Sequence, residues 1–334
     1  MKRHRGKLIR LFCLALGCEA IFAQAPPPAI LEFDINYLDY EYDVADYSKL
    51  ASDSEPVAGV PGRNFINFLR IGDIVAVNGK PAKGAWISRV TMVVFNPTPA
   101  PGQAIADISR SNVQQSYWEI QTADGKPVGT IVANGMGGGT PPPGSPAIMT
   151  QGNQVIIGGS GAFFGVHGLQ GGSAAAQVGA PIESVTEDPA NRRNRKQGFN
   201  HQILYLVPAE YPQVLAGANG PVVVHASDYS PVTPASPASA GETLTMIATG
   251  LGPTNPSVDP GKPFPSDKLY VVNSPVDLLI NGTSAEVLYA GGYPGTTDRY
   301  QVNFRVPSGL SPGMVNLQIS AAWITGPAAQ IAVR

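Results

Sequence analysis

The stretch whose residue types most suggest a chemical role is rich in glycine and spans residues 155–169. Ser160 stands between glycines there, as the nucleophile does in many hydrolases, but Ala162 occupies the position of the second motif glycine and no helix is expected to follow. A dinucleotide-binding loop is also disfavoured, since Phe164 occupies the place of its third glycine. We therefore interpret the stretch as a strand that bends at a barrel corner, with a ring covering the glycines. This structural motif comprises Gly158, Gly159, Gly161, Phe164 and Gly168.

The spacing of the histidine and carboxylate residues in the sequence does not predict a metal site. The histidines beyond the N-terminal leader are His167, His201 and His225, and none stands at ligand spacing from another histidine or a cysteine. No cofactor motif is found either, so we expect neither a metal nor a cofactor.

Polar residues on predicted strands are the remaining candidates for a binding site. Tyr117 and Glu119 share one face of a strand, and Trp118 shares the other face with Ile120. Alternation alone does not say which face is inside. A glutamate inside an apolar barrel would have a raised pKa and could act as an acid or base, whereas an outward Glu119 would only meet water. Asp73 is a similar candidate, with a turn role as its alternative.

The composition predicts the elements that would position these residues. The chain has 334 residues, 43% of them hydrophobic and only 14% charged, with 38 glycines and 32 prolines. Such a chain has enough apolar residues for a core and favours many short strands joined by glycine and proline turns. The length predicts two domains.

The N-terminus has the parts of a secretory signal peptide in residues 1–23. A basic stretch precedes the apolar run Leu11–Cys18, and Ala23 is a small residue suited to cleavage. That run is far shorter than the ~20 residues that cross a bilayer. A lipoprotein signal that ends at Cys18 is the alternative.

Cleavage near Ala23 would change the chemistry of the mature chain. It removes both cysteines, so no disulfide would remain. It also removes five basic residues and one acidic residue, which shifts the net charge from −2 to −6 and disfavours nucleic acid as a partner. We expect a secreted or cell-envelope protein.

Residues 30–215 predict about eight strands with no helix-sized segment between them. Asn78-Gly79, Asp124-Gly125 and, in the last third of the chain, Asn281-Gly282 are hairpin-turn signals. A sheet of strands joined by hairpins can close into a barrel, which leaves no strand with an unpaired edge. The expected fold is therefore all-β, an antiparallel closed β-barrel of about eight strands. Residues 220–334 alternate cleanly, as in Tyr300–Val306, and predict a β-sandwich.

The glycine stretch also carries a family resemblance. The run from Gly158 to Gly168 is similar to the Gly-Gly-Thr-Gly-x-Phe-x-x-Ala-Arg-Gly motif of dirigent proteins and the wider allene-oxide-cyclase barrel family. The resemblance implies a barrel with a ligand pocket and self-association into a homo-oligomer. Ser160 replaces the motif threonine, and His167 replaces an arginine associated with the pocket. His167 is therefore a further candidate for ligand contact.

A second resemblance covers the last third of the chain. Thr249-Gly250-Leu251-Gly252-Pro253 and the run from Tyr300 to Pro307 resemble an uncharacterised C-terminal domain of secreted proteins of Acidobacteria such as Solibacter. This resemblance implies export and an immunoglobulin-like (IPT/TIG-like) β-sandwich for residues 220–334, and it implies no chemistry.

Three functions follow as hypotheses. The first is a secreted, non-catalytic binding module whose barrel holds a small apolar or phenolic molecule, with the sandwich as a spacer or surface domain. The second is a cyclase, isomerase or dirigent-like coupling enzyme that uses an interior carboxylate. The third is a structural or adhesive envelope protein with a filled barrel. A cell-surface component is a further expected partner.

Overall fold

The computed structural model describes residues 28–42, 67–92, 112–137, 153–172, 182–183, 198–218 and 220–334. This part of the chain is all-β, and none of its residues forms a helix that could cross a membrane. The predicted signal peptide lies outside the described residues.

Nine strands lie in the first half of the chain. They are β1 (Ala29–Tyr42), β2 (Asn67–Val77), β3 (Lys80–Met92), β4 (Asn112–Thr122), β5 (Pro127–Gly137), β6 (Asn153–Gly161), β7 (His167–Gly172), β8 (Ile182–Glu183) and β9 (Gly198–Val207).

Eight of these strands form a closed antiparallel barrel, as the sequence predicts. Each pairs with the next along the chain from β1 to β7, β7 pairs with β9, and β9 returns to β1. The short β8 lies outside the ring and pairs in parallel with β1. Closure leaves the ring without a free edge, because β1 is hydrogen-bonded to both β2 and β9.

The two ends of the barrel differ in how the strands are joined. At the turn end, β2–β3, β4–β5 and β6–β7 are joined by short turns at residues 78–79, 123–126 and 162–166. At the connection end, the longer segments 43–66, 93–111, 138–152 and 173–197 join the strands. Asn78 and Gly79 have φ of 49° and 70°, the left-handed pair that a type I′ hairpin needs.

The glycine stretch forms a hairpin, so the expected single bending strand is corrected. β6 ends at Gly161, a tight turn follows, and β7 begins at His167. Gly161 has φ of +63° and lies so close to Val128 that a Cβ would stand 2.5 Å from its carbonyl oxygen. The ring that covers these glycines is the buried Phe163, while Phe164 is 80% exposed. The turn therefore places the neighbouring ring, and not Phe164, against the sheet.

The half of the barrel interior near the turn end is filled by apolar side chains. The largest are fully buried, and each such burial contributes about 1.5–3 kcal/mol. They are Phe33, Trp86, Trp118, Ile120, Ile131, Phe163 and Leu204.

The rest of the chain forms the β-sandwich that the sequence predicts. Its strands are β10 (Gln213–Val214), β11 (Ala216–Gly217), β12 (Gly220–Pro221), β13 (Val223–His225), β14 (Thr243–Thr249), β15 (Thr254–Asn255), β16 (Val271–Val272), β17 (Val276–Ile280), β18 (Thr283–Gly292), β19 (Tyr300–Arg305), β20 (Gly313–Ala321), β21 (Ile324–Thr325) and β22 (Ala329–Val333).

The long strand β18 joins the two layers of the sandwich. Its first residues pair with β17, and after an irregularity between Val287 and Tyr289 it pairs with β19. A strand that changes sheets at a bulge is a usual corner of such sandwiches. Between the layers lies a core that includes Met246, Val302 and Phe304.

The sandwich closes the turn end of the barrel. Ala322 and Ile324, at the β20–β21 hairpin, are buried in the same cluster as the barrel core. Lys80 of the barrel also forms a 2.7 Å ion pair with Asp277 of the sandwich. The turn end of the barrel, which we also call its base, is thus filled by side chains from both the barrel and the sandwich.

Candidate functional site

A hydrogen bond across the lumen separates the apolar half of the barrel from a polar half. Trp118 of β4 donates its Nε1 proton to Oε1 of Gln202 on β9, over 2.8 Å. These strands lie on opposite sides of the ring. Both side chains are buried, so the pair spans the interior at mid-height. On the side of the connection end, several inward positions are polar, among them Gln114, Ser116 and Asn200, whereas Val90 is apolar.

Four of these polar side chains form a closed ring of hydrogen bonds. The Nε2 of Gln114 donates to Ser88 Oγ over 3.1 Å, and Ser88 Oγ lies 3.0 Å from Ser116 Oγ. Ser116 donates to Gln154 Oε1 over 3.2 Å, and Gln154 Nε2 donates back to Gln114 Oε1. Each amide keeps a second N–H and a further acceptor lone pair. The ring therefore satisfies one donor and one acceptor of each amide.

The strand register explains why these side chains meet. Ser88 pairs with Ser116 across β3 and β4, and directly paired residues project from the same face. On β4, Gln114 and Ser116 lie four and two residues before Trp118, so their side chains share its inward face. Gln154 pairs with Gly135, which pairs with Gln114, so Gln154 lies in the same cross-strand row as Gln114, two strands away.

Two buried polar atoms in this half have no hydrogen-bond partner among the described residues. They are Nε2 of Gln202, whose residue is 2% exposed, and Oε1 of Gln170. Gln170 pairs with Gln154 and so shares its inward face. A buried donor or acceptor left unpaired costs about 1–3 kcal/mol. One donor and one acceptor on the inner face of the barrel are therefore left without a hydrogen bond among the described residues.

Arg70 brings a positive charge to the same region. It pairs with Ser88 across β2 and β3, and its Nε atom is fully buried although the residue as a whole is half-buried. The polar half thus combines neutral amides, hydroxyls and one guanidinium.

The structure places the predicted site residues on the outer surface. Tyr117 is 45% exposed and Glu119 is also exposed, because they alternate with the inward Trp118. His167 is exposed at the start of β7. Asp73 is half-buried and pairs with Ala85, which pairs with Glu119, so the two carboxylates share one outer row two strands apart. Neither supplies an interior carboxylate.

Ser160, the serine of the glycine stretch, also lies on the outer surface. Its Oγ lies 2.7 Å from Thr130 Oγ1 on the neighbouring strand. Within the described residues, no group of three or more histidine, cysteine, aspartate or glutamate side chains is arranged to hold a metal ion.

The lumen residues were not identified from the sequence. The sequence of β4 does contain a clue, because strand alternation puts Gln114, Ser116 and Trp118 on one face. Placing the tryptophan inside would have placed both polar residues inside as well.

Comparison with protein-family models, with curated proteins and with solved structures finds no match to this chain.

Proposed function

We propose that this protein is an extracytoplasmic, non-catalytic binding module whose barrel holds one small molecule in the polar half of the lumen. The observation that carries the proposal is the buried Gln202 Nε2, an unpaired donor beside the ring of Gln114, Ser88, Ser116 and Gln154. Buried polar groups in native proteins nearly always have partners, and a ligand would supply this one. Export is supported by the predicted signal peptide.

The lining favours a ligand with hydroxyl or carbonyl groups. Glutamine amides both donate and accept, and the serine hydroxyls do the same. A phenol fits this chemistry, because its ring is apolar and its hydroxyl can bond an amide. A purely apolar ligand is less favoured, because the apolar half is filled by Trp86, Trp118 and other protein side chains.

A structural envelope protein is the second candidate. The observation that favours it is the filled apolar half, whose large side chains are 0–2% exposed. An interior-carboxylate enzyme has no such support, because Glu119 and Asp73 lie on the outer face. The resemblance to dirigent and allene-oxide-cyclase barrels remains a proposal, supported by the closed eight-stranded barrel.

Native mass spectrometry of the exported protein tests the binding proposal. We expect a bound small molecule on the wild-type chain that survives gentle desolvation and is lost on denaturation. Gln114→Leu should abolish or strongly reduce the bound mass, because it removes one side of the hydrogen-bonded ring. Gln115→Leu is the matched control, since Gln115 is the next residue on β4 and faces outward. A wild-type chain without bound mass, or equal retention by both variants, would contradict the proposal.

A further inference from the structure

A groove lies where the turn end of the barrel meets the sandwich, remote from the polar lumen. Its volume is about 740 Å³, within the range of small-molecule sites. The first residues of β1, the segment 208–213 and the β20–β21 hairpin line it. The groove is therefore built jointly by both halves of the chain.

The hairpin on one side of this groove has an unusual turn sequence. Ala322 and Trp323 have φ of 49° and 62°, close to the values of Asn281 and Gly282 in the β17–β18 hairpin. A type I′ turn favours Asn-Gly, because residues with larger side chains adopt positive φ at an energetic cost. The turn holds Ala322 in the barrel base and Trp323 at the groove.

Two aromatic side chains line the groove. Trp323 and Tyr211 are both partly buried and pack against the barrel core. Burial raises the pKa of the Tyr211 hydroxyl, against the opposing effect of a hydrogen bond with the backbone of Ala29. Fixed aromatic rings of this kind offer an apolar face together with a polar edge. This combination suits the apolar face of a sugar ring and its hydroxyl groups.

The charges in the groove exclude one class of ligand. Glu210 is the charged residue of the lining, and no lysine, arginine or histidine is among the described lining residues. The other polar groups are neutral and include Gln213 and Gln318. Gln318 donates Nε2 to the Gly326 carbonyl, which leaves its Oε1 as an acceptor. A carboxylate without a cation repels an anionic polymer and accepts hydrogen bonds from hydroxyls.

We propose that this groove binds a neutral oligosaccharide, with Trp323 and Tyr211 against the sugar faces and Glu210 and Gln213 on the hydroxyls. The site is independent of the lumen and gives the protein a means of attaching to an uncharged surface glycan.

Isothermal titration calorimetry with cellohexaose, xylohexaose, mannohexaose and chitohexaose tests this site. We expect one of these probes to bind the wild-type chain with micromolar to millimolar affinity. Trp323→Ala should weaken that binding at least tenfold, whereas Trp323→Phe should stay within about threefold. Tyr229→Ala is the matched control, because Tyr229 is also an aromatic residue with positive φ, is 73% exposed and lies outside the groove lining.

Glu210→Lys provides a second variant if Trp323→Ala does not fold, because Glu210 is exposed. It should weaken binding of the neutral probe at least fivefold. The proposal would be overturned if none of the four probes bound, or if the wild type and both groove variants bound a probe equally well. Preferential binding of polygalacturonate, an anionic polymer, would also overturn it. Preferential binding of a proline-rich peptide would do so too.

Discussion

The two ends of the barrel are built from the same eight strands and differ in almost every other respect. At the turn end, short turns join the strands, and large apolar side chains and Ile324 of the sandwich fill the interior. At the connection end, the strands are joined by longer segments, and the inward positions include Ser88, Gln114 and Ser116 beside the apolar Val90. The hydrogen bond between Trp118 and Gln202 marks the division. The comparison shows that one barrel can have an apolar half that stabilises it and a half in which polar side chains are joined by hydrogen bonds.

The largest effect is expected where the two halves meet. Trp118→Ala removes a side chain that is 0% exposed, so it should lower the free energy of unfolding by about 3–5 kcal/mol. Tyr117→Ala, one residue away on the outer face, should cost about 1 kcal/mol or less. Urea denaturation followed by fluorescence measures both. Equal losses would show that the assigned inner and outer faces of β4 are wrong.

A slightly smaller effect tests the tightness of the turn end. A Cβ on Gly168 would stand 1.9 Å from the Tyr205 carbonyl oxygen, so Gly168→Ala should cost more than about 3 kcal/mol. A Cβ on Gly79 would meet nothing within 4 Å, and its φ of +70° alone should make Gly79→Ala cost about 1–2 kcal/mol. Thermal and urea unfolding of both variants check the order, which a larger loss at Gly79 would contradict.

These residues also show how far the sequence predicts the fold. Asn78-Gly79 and Asn281-Gly282 were identified as turns because their residue types favour positive φ. The equivalent turn at Ala322 and Trp323 was missed, because only tertiary packing at the barrel base holds those residues in this conformation. Local preference therefore predicted two of these three turns.

The candidate site was less predictable than the fold. Alternation along β4 separates Glu119 from Trp118 but does not say which side is inside. The inside is decided by closure of β9 onto β1, a contact between residues far apart in sequence. Likewise, the position of Phe163 against the glycines depends on where the β6–β7 turn falls, so the neighbouring Phe164 was an equally plausible prediction from the sequence.

An intermediate effect is expected in the polar half. Ser116→Ala removes hydrogen bonds to Ser88 and Gln154 and should cost about 1–3 kcal/mol, because their partners stay buried. Ser160→Ala on the outer face also removes a hydroxyl pair but should cost no more than about 0.5 kcal/mol. Equilibrium unfolding measures both. A neutral Ser116→Ala would indicate that water satisfies the ring and that it contributes little to stability.

The smallest effect lies in the sandwich that closes the barrel. The Glu242 carboxylate accepts a hydrogen bond from His225 Nδ1 over 2.5 Å, and this bond raises the pKa of His225 against the opposing effect of burial. A histidine with a raised pKa stabilises the fold fully below its ordinary pKa of about 6.5, and this contribution is lost as the pH rises through the raised value. Wild type should therefore be less stable at pH 9 than at pH 6, and His225→Gln should reduce this difference. Urea midpoints at the two pH values test it, and an unchanged difference in the variant would argue against the His225 assignment.

The most direct test of the polar lumen is a crystal structure of the exported protein, at a resolution that shows ordered waters. Our account predicts non-protein density larger than a water molecule within hydrogen-bond distance of Gln202 Nε2 and the Gln114 amide. A lumen in which protein side chains reach Gln202 Nε2 and fill the space beside Gln114 would contradict it.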